Sequence, residues 1–328
     1  MNRLQYWHPV LASRDLQARS VRGVKVAGTS IALFRDENGR LGAVTDECVH
    51  RRMKLSVGNV RQGKLICPYH GWSYTPEGAG ESPSAPKMQA CLTSYDCAEA
   101  FGAIWLKARG TAYKLPHLQT ESGDFVGAVF NRVHAPLELV IDNFSEVEHT
   151  VEMHSQFGFD PARASEAIAE LEQADDSVTM RNRGPAKMPP FALRVAGRVR
   201  TGDYFHSDYT IRFDPPCSSV THRWTEPRSG RERLIKYHIF HYFVPEDEER
   251  TTVVSFGFLT IRSPLLKLFP GPAKWLFRAK IRETVDEDAS LLENLADKSC
   301  DLEGMKLSRF DSILGLTRER LRRIYDAS

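Results

Sequence analysis

The chain has 328 residues, enough for about two domains with buried cores. Its 44 Lys and Arg nearly balance 42 Asp and Glu, and 41% of its residues are hydrophobic. This composition excludes a disordered or collagen-like chain and gives no reason to expect nucleic-acid binding or a basic membrane-binding surface. No apolar run approaches the roughly 18 residues of a transmembrane helix, and the first residues lack the apolar core of a signal peptide. We therefore expect a cytoplasmic protein whose six cysteines do not form a disulfide scaffold.

The first third of the chain consists of short strand-like runs separated by Gly and Pro, ending near Arg109. Asn38 and Gly39 lie between the runs 30–35 and 41–44, which predicts a β-hairpin. Many short strands with turn signals between them are typical of a small all-β domain. We place this domain at residues 1–112.

The remainder of the chain mixes helical and strand periodicity. Residues 139–154 have a helical apolar stripe, and four long strand-like runs between 191 and 261 predict an antiparallel sheet with one buried face. Helical periodicity returns at residues 272–295 and 316–325. The sequence therefore predicts the α+β fold class, with a second domain over residues 113–328.

Two cysteines and two histidines form the strongest motif. Cys48 and His50 are separated by one residue, Cys67 and His70 by two, and 16 residues lie between the pairs. Such a set can close a tetrahedral zinc site or hold a 2Fe–2S cluster, with two thiolates on one iron and two imidazoles on the other. A zinc finger groups its cysteines together and its histidines together, so the interleaved order favours the cluster. A structural zinc site and unrelated core and surface residues are the alternatives.

The motif resembles that of a known family. Cys48-x-His50-Arg51 with Cys67-Pro68-Tyr69-His70-Gly71-Trp72 is similar to the cluster motif of the Rieske-type non-haem iron oxygenases. That family usually has Gly after the Arg of the first loop, where this chain has Arg52. The resemblance implies a second site that holds a mononuclear iron.

His149 and His154 are candidates for that second site. On a straight helix, side chains five residues apart differ in direction by about 140°. The two imidazoles can therefore face one ion only if the helix ends or bulges between them. His154 continues the apolar stripe of residues 140–151, so we expect it to point inward.

A third ligand is predicted from the later helix. Asp288 takes the one position that is not apolar in a stripe formed by Ile281, Val285, Leu292 and Leu295. A buried carboxylate is costly unless it meets a cation. Two histidines and a carboxylate form the facial triad of non-haem Fe(II) sites, and the family places its ligands in this order. The triad would consist of His149, His154 and Asp288, with Glu287 as the alternative acid; otherwise we interpret Asp286 and Glu287 as surface charges.

Glu146 precedes His149 by three residues, on the same side of the predicted helix. Most of the family has Asp here, and the resemblance implies a catalytic role in which this acid links a mononuclear-site histidine to a cluster histidine, His50 or His70, of a neighbouring subunit. The resemblance also implies a homotrimer. The alternative is a solvated acid on a helix surface.

The sequence also indicates electron-transfer partners. It contains no G-x-G-x-x-G fingerprint after a strand and no second cysteine group with ferredoxin spacing. We therefore expect a separate NAD(P)H-dependent reductase, with or without a ferredoxin. Arg51, Arg52 and Lys54 are candidates for docking an acidic carrier, although charged loop residues can simply be solvated.

The substrate pocket is expected between the histidine helix and the sheet. Several aromatic residues could contribute either to it or to the core: Phe205, Tyr209, Tyr237, Phe240, Tyr242, Phe256 and Phe258. His238 and His241 point to opposite faces of a strand, and we interpret them as ordinary residues. Cys91, Cys97, Cys217 and Cys300 lack ligand spacing and are interpreted as structural.

The resemblance is to the family members that consist of α subunits only. It implies a terminal oxygenase component that activates O2 at mononuclear Fe(II) to hydroxylate or oxidatively demethylate a small aromatic or cyclic molecule. The alternatives are a Rieske electron carrier without oxygenase activity and a ligand-binding protein with a structural metal.

Overall fold

The computed structural model describes residues 3–118, 123–263 and 270–325. The chain divides into two compact units. The first contains the described residues up to 117 together with 244–248, and the second contains the described residues of 118–243 and those from 249 onward. No helix among the described residues is both long and apolar enough to cross a membrane.

The first unit is built from short antiparallel strands. They are β1 (His8–Ala12), β2 (Ser20–Val26), β3 (Thr29–Arg35), β4 (Leu41–Thr45), β5 (Asn59–Arg61), β6 (Lys64–Ile66), β7 (Ser73–Tyr74), β8 (Ala79–Glu81), β9 (Ala90–Cys91), β10 (Tyr95–Ala100) and β11 (Ala103–Ala108). Short 3-10 helices lie at Arg3–Gln5, Ser13–Asp15 and Leu55–Val57. The strands form sheets with the orders β1-β11-β10, β2-β3-β4 and β5-β6-β7-β8-β9. Leu33, Phe34, Leu65 and Tyr74 are completely buried.

The β3–β4 connection is the predicted hairpin. The Asp36 side chain accepts hydrogen bonds from the backbone amides of Asn38 and Arg40, both at 2.8 Å. Gly39 has a φ of +86°, a conformation that glycine adopts without steric cost. The Asn-Gly signal is therefore confirmed.

The second unit combines a seven-stranded sheet with helices. Its strands are β12 (Asp124–Val133), β13 (Ile168–Gln173), β14 (Ser177–Pro185), β15 (Tyr204–Phe213), β16 (Pro216–Thr225), β17 (Glu232–Pro245) and β18 (Thr251–Ile261), in the order β12-β18-β17-β16-β15-β14-β13. Its helices are α1 (Leu137–Asn143), α2 (Phe191–Ala196), α3 (Pro270–Glu293) and α4 (Leu314–Tyr325), with 3-10 helices at Glu148–Val151, Pro161–Glu166 and Arg309–Ile313. The predicted α+β class is confirmed.

Helix α3 packs closely on the sheet. Its buried side chains Phe277, Ile281, Val285 and Leu292 recur at helical spacing. A Cβ atom at Gly257 of β18 would lie 2.5 Å from Cδ1 of Ile281. Glycine at this position therefore allows the helix to approach the sheet, and this contact fixes the face of α3 that carries Asp288.

Some predicted elements differ from the structure. The expected helix over residues 139–154 is wrong, because α1 ends at Asn143 and the Ser145 hydroxyl donates a hydrogen bond back to the Ile141 carbonyl. The apolar periodicity persists beyond this end only because Val147 and Val151 pack against the same core. Residues 191–196 form α2 rather than the start of a strand, and β12, β13 and β14 were not predicted. The expected helices at 272–295 and 316–325 correspond to α3 and α4.

Candidate functional site

Three side chains predicted as iron ligands converge in the second unit. One ligand atom each of His149, His154 and Asp288 lies within 4.8 Å of the other two. Oδ1 of Asp288 is 3.4 Å from Nε2 of His149 and 3.3 Å from Nε2 of His154. The side chains of His154 and Asp288 are almost completely buried. Both imidazoles thus direct the same nitrogen toward one carboxylate oxygen.

The chain between the two histidines leaves the helical path. His149 lies in the 3-10 helix Glu148–Val151, and His154 follows that helix outside any regular secondary structure. The ammonium group of Lys187 donates hydrogen bonds to the carbonyls of Thr150 at 2.8 Å, Val151 at 3.1 Å and His154. A helix end therefore brings the two imidazoles together, as the five-residue spacing requires.

Gly158 closes this turn. Its φ is +122°, and a Cβ atom there would lie 2.5 Å from the Thr150 carbonyl oxygen and 2.9 Å from Cε of Lys187. Only glycine fits between these groups. The ammonium can consequently reach all three carbonyl oxygens.

The other nitrogen of each imidazole faces a second carboxylate. Nδ1 of His149 is hydrogen-bonded to Glu146, and Nδ1 of His154 lies 2.7 Å from Oε2 of Glu287. The interpretation of Glu287 as a surface charge is therefore wrong, because α3 turns it toward His154, and its neighbour Asp286 accepts a hydrogen bond from Asn131 at 2.6 Å. Carboxylates that hold the remote nitrogen of a ligating histidine are typical of metal sites.

The donor set fits a divalent iron. Asp288 is 3% exposed, and its Oδ1 has no hydrogen-bond donor within the part of the chain that the structure describes. Such a buried carboxylate oxygen requires a cation. Two imidazoles and one carboxylate are the ligands of non-haem Fe(II) sites that keep positions open for other molecules.

The electrostatic environment also favours a cation. Burial acts to lower the pKa of His149, but the hydrogen bond and negative charge of Glu146, together with Asp288, outweigh it and raise the pKa. Nearby, Nε of Arg318 on α4 donates to Asp142 of α1 at 2.8 Å. Burial nevertheless raises the pKa of Asp142 to about 6. This ion pair ties the end of α1 to α4, so it fixes where the histidine segment begins.

The cysteine–histidine motif occupies two loops of the first unit. Cys48 and His50 follow β4, and Cys67 and His70 lie between β6 and β7. The cysteines are 1% and 2% exposed, whereas both histidines are exposed. Burial, and after it a hydrogen bond with Cys48, raise the pKa of the Cys67 thiol. The two imidazole centroids are 4.5 Å apart.

Paired thiols and paired imidazoles fit a two-iron cluster better than unrelated residues. The thiols would hold a buried iron and the imidazoles an outer one. Sγ of Cys48 also lies 3.1 Å from the Tyr74 hydroxyl, which can donate a hydrogen bond to a thiolate. Cys91, Cys97, Cys217 and Cys300 join no candidate ligand group among the described residues.

Both loops share one backbone geometry. The amides of Arg52 and Gly71 donate to the carbonyls of Cys48 and Cys67, at 2.9 and 3.1 Å. Arg52 has a φ of +55° and Gly71 a φ of +72°. Arg52 therefore adopts the left-handed conformation that favours glycine, at the position where the resembled family has Gly. Arg52 in place of glycine therefore keeps the same loop shape, but its backbone adopts a conformation that is unfavourable for a residue with a side chain.

The mononuclear site opens on a cavity of about 520 Å³. Its lining includes all three candidate ligands, the helices α2 and α3, and one face of β15, β16 and β17. On that face His222 pairs with Tyr237, and Ser218 pairs with His241. Burial lowers the pKa of His222 to about 3 and that of His241 to about 4, so both imidazoles are neutral at pH 7.

Few of the aromatic residues proposed from the sequence line this cavity. Tyr209 and Tyr237 do, and the other five are absent from the lining. His222 was not predicted from the sequence, and neither were these lining aromatics: Phe144, Phe157, Phe191 and Phe277. The prediction that His241 is an ordinary residue is also corrected by its place in the lining. The available signal was the alternation of Ser218, Val220 and His222, but its meaning depends on the strand register.

Two family descriptions match the chain. The Rieske 2Fe-2S domain matches residues 6–96, and the vanillate O-demethylase oxygenase C-terminal domain matches residues 133–327, more than half of the chain. The chain belongs to the Rieske-type non-haem iron oxygenases. Members of this family are oxidoreductases that hold a Rieske 2Fe–2S cluster and a mononuclear iron. The predicted cofactors are thereby confirmed.

Several known proteins are similar to this chain in sequence. The chain is 37% identical to the 4beta-methylsterol monooxygenase of Methylococcus capsulatus over 274 residues, which covers 77% of this chain and 68% of that protein. It is 32% identical to the chlorophyllide a oxygenase of Arabidopsis thaliana over 298 residues, covering 88% of this chain and 51% of that protein. This chain spans about half the length of the first curated relatives that it matches.

The fold also matches solved structures. The Pseudomonas putida CBB5 NdmA QL mutant with theobromine has a TM-score of 0.71, with 99% of this chain and 92% of that chain covered. The two sequences are 21% identical, so this likeness shows the fold alone.

Proposed function

We propose that this chain is the terminal oxygenase component of a multicomponent Rieske system. It hydroxylates or oxidatively demethylates a small aromatic or cyclic organic molecule, as a monooxygenase or dioxygenase. The observation that carries the proposal is that His149, His154 and Asp288 converge at the wall of a cavity of about 520 Å³. A pure electron carrier does not need this cavity, and a structural zinc site does not account for it.

In the proposed iron site, His149, His154 and Asp288 are the ligands. Iron bound there would supply O2 activation, and the cluster would supply an electron for it. Glu146 holds the Nδ1 proton of His149, and Glu287 holds that of His154, so both Nε2 atoms are free to bind the metal. The apolar cavity walls keep water away from the reacting positions.

In the proposed cluster site, Cys48, Cys67, His50 and His70 are the ligands. Residues 1–112 form the Rieske domain and residues 113–328 the catalytic domain. Glu146 also contacts a cluster histidine of a neighbouring subunit in a homotrimer, as the resemblance implies. A glutamate there reaches one methylene further than the aspartate that is usual in the family.

A separate NAD(P)H-dependent reductase, directly or through a ferredoxin, reduces the oxygenase. The exposed residues Arg51 and Arg52, with Lys54 in the same loop, are proposed to dock an acidic carrier, and their charge next to the cluster loop supports this. The cytoplasmic location stays a prediction from the sequence.

The proposal is tested on anaerobically purified protein by measuring iron, zinc and acid-labile sulfide, with EPR after dithionite reduction. We expect about three irons and two sulfides per chain and a Rieske-type signal. His154→Ala should remove one iron and keep the signal, while the exposed His134→Ala serves as the matched control.

Turnover is then assayed with NADH, a surrogate reductase and a panel of ring compounds. Glu146→Gln, which can still accept the His149 hydrogen bond, should retain both metals and lose most turnover. Zinc without sulfide would contradict the proposal, as would full iron content in His154→Ala.

A further inference from the structure

The cavity next to the candidate iron site contains very little positive charge. Among the described residues that line it, Lys280 carries the only Lys or Arg side chain. That ammonium is bound to Glu283 at 2.6 Å, and its side chain is 39% exposed. The two lining carboxylates, Glu146 and Asp288, are both engaged with His149. Apart from this paired lysine, an anionic substrate would meet no Lys or Arg side chain among the described residues of this wall.

Three further polar side chains of the cavity lining are uncharged. Nδ2 of Asn143 is buried and has no acceptor among the described residues, although Asn143 lines the cavity. His222 also lines it, and no hydrogen bond to its ring occurs within the described residues. His241 uses Nδ1 to contact the Ser255 hydroxyl at 2.8 Å, which leaves Nε2 for a ligand. These three side chains offer hydrogen bonds rather than charge.

Part of the exposed rim of the cavity is apolar. Phe191 and Val195 of α2 and Leu276 of α3 line the cavity while remaining 73%, 51% and 42% exposed. Large apolar side chains at the mouth of a concave site mark a binding surface for an apolar molecule. Both these rim residues and the uncharged polar groups of the lining therefore favour an uncharged ligand.

We propose that the cavity binds an uncharged, mainly apolar ring compound and excludes carboxylates, sulfonates and phosphates. A hydroxyl, carbonyl or ring nitrogen of this compound hydrogen-bonds to Asn143, His222 or His241. The inference rests on the proposed function in taking the cavity as the substrate site, and it narrows the substrate to neutral molecules.

The test compares isosteric pairs that differ in charge. Calorimetric titration of the iron-loaded protein, without O2, uses 2-naphthamide against 2-naphthoate and anthracene-2-carboxamide against anthracene-2-carboxylate. We expect at least one amide to bind at least about tenfold more tightly than its carboxylate, because Glu146 and Asp288 already place two carboxylates in the lining and its one Lys or Arg side chain among the described residues is paired with Glu283. Equal or tighter binding of the carboxylates would overturn the proposal, and so would a failure of both amides to bind.

Variants locate the binding groups. At least one of the variants Asn143→Leu, His222→Leu and His241→Leu should weaken amide binding by about fivefold to tenfold, the loss of one hydrogen bond. Lys280→Met should leave amide binding within about twofold, since no hydrogen bond to the ligand is removed. Selective loss of carboxylate binding in Lys280→Met would identify an anion anchor and overturn the proposal. His222→Gln provides a polar substitute if the Leu variant loses its iron.

Binding and turnover separate this inference from the proposed function. Charge-selective amide binding without reductase-dependent product would retain the inference and reject the oxygenase activity. Turnover of a carboxylate substrate would retain the oxygenase activity and reject the inference.

Discussion

Lys187 stabilises the turn that brings the two candidate histidine ligands together, so its replacement by methionine should weaken iron binding. The half-buried ammonium donates to the carbonyls of Thr150, Val151 and His154. Methionine has a similar length and no donor. All three oxygens would lose their cationic partner, and the backbone between the ligands would lose its support.

The size of the effect follows from these bonds. A hydrogen bond that involves a charged group contributes about 1.5–3 kcal/mol. The three bonds share one ammonium and do not add, and burial lowers the pKa of Lys187, which offsets part of their gain. We therefore expect a loss of about 3 kcal/mol at this turn. If this whole loss of free energy weakens Fe(II) binding, the affinity for Fe(II) falls by roughly a hundredfold.

The assay measures mononuclear iron by anaerobic Fe(II) titration, with the Rieske EPR signal as an internal control for folding. Lys274→Met is the matched control, because Lys274 is a partly exposed lysine that pairs with Asp124 at 3.2 Å. Lys187→Met should lose mononuclear iron while its Rieske signal stays unchanged. Wild-type Fe(II) affinity in Lys187→Met would refute the proposed role of the three hydrogen bonds.

Three further predictions concern other parts of the chain. Arg52→Gly should raise the thermal stability of the cluster, followed by its visible absorbance, by about 1 kcal/mol, because glycine removes the strain of a φ of +55°. Glu287→Ala should lower Fe(II) affinity by about 10- to 100-fold, because the histidine at 2.7 Å loses its orienting carboxylate. His8 is buried with a pKa lowered to about 4, so the unfolded chain binds its proton first as the pH falls below 6.5. The free energy of unfolding, measured in urea, should therefore fall by about 2 kcal/mol between pH 7 and pH 5 through this residue.

Each of these predictions has a control within the chain. Arg51→Gly should bring no gain, because Arg51 does not have a positive φ. Glu283→Ala removes an exposed acid one turn earlier on α3 and should leave Fe(II) affinity unchanged. His8→Gln removes the titrating group, so its unfolding free energy should depend less on pH than that of the wild type. An identical pH dependence in the two proteins would contradict the assignment to His8.

The cluster loops could be predicted because their information is local. Cys48 and His50 lie on one loop, Cys67 and His70 on another, and each loop repeats the same turn. Because the Cys and His of each pair are only two or three residues apart, the local turn alone places them close together. The sequence could not predict the conformation of Arg52, because an arginine gives no signal for a positive φ.

The mononuclear site shows a partial success with a definite cause. Asp288 was predicted because an acid interrupted the apolar stripe of α3, and the structure buries it next to both histidines. The helix through His154 was wrong because Lys187, more than thirty residues away, stabilises a different backbone path. Glu287 was misjudged for a similar reason, since only the position of His154 gives its carboxylate a partner. Contacts distant in sequence decided both cases.

The cavity wall was least predictable, because one step of strand register changes which side chains face it. His238 and His241 were correctly assigned to opposite faces of β17, but the period of two does not say which face meets the cavity. The pairing of Ser218 with His241 and of His222 with Tyr237 decides which face this is. It places His241 and His222 on the cavity wall. His238 instead lies 2.8 Å from the Thr221 hydroxyl, through its Nδ1. The chemistry of the cavity wall therefore depends on the register between two strands, which explains why family motifs predicted candidate metal ligands and left the polarity of the cavity to the structure.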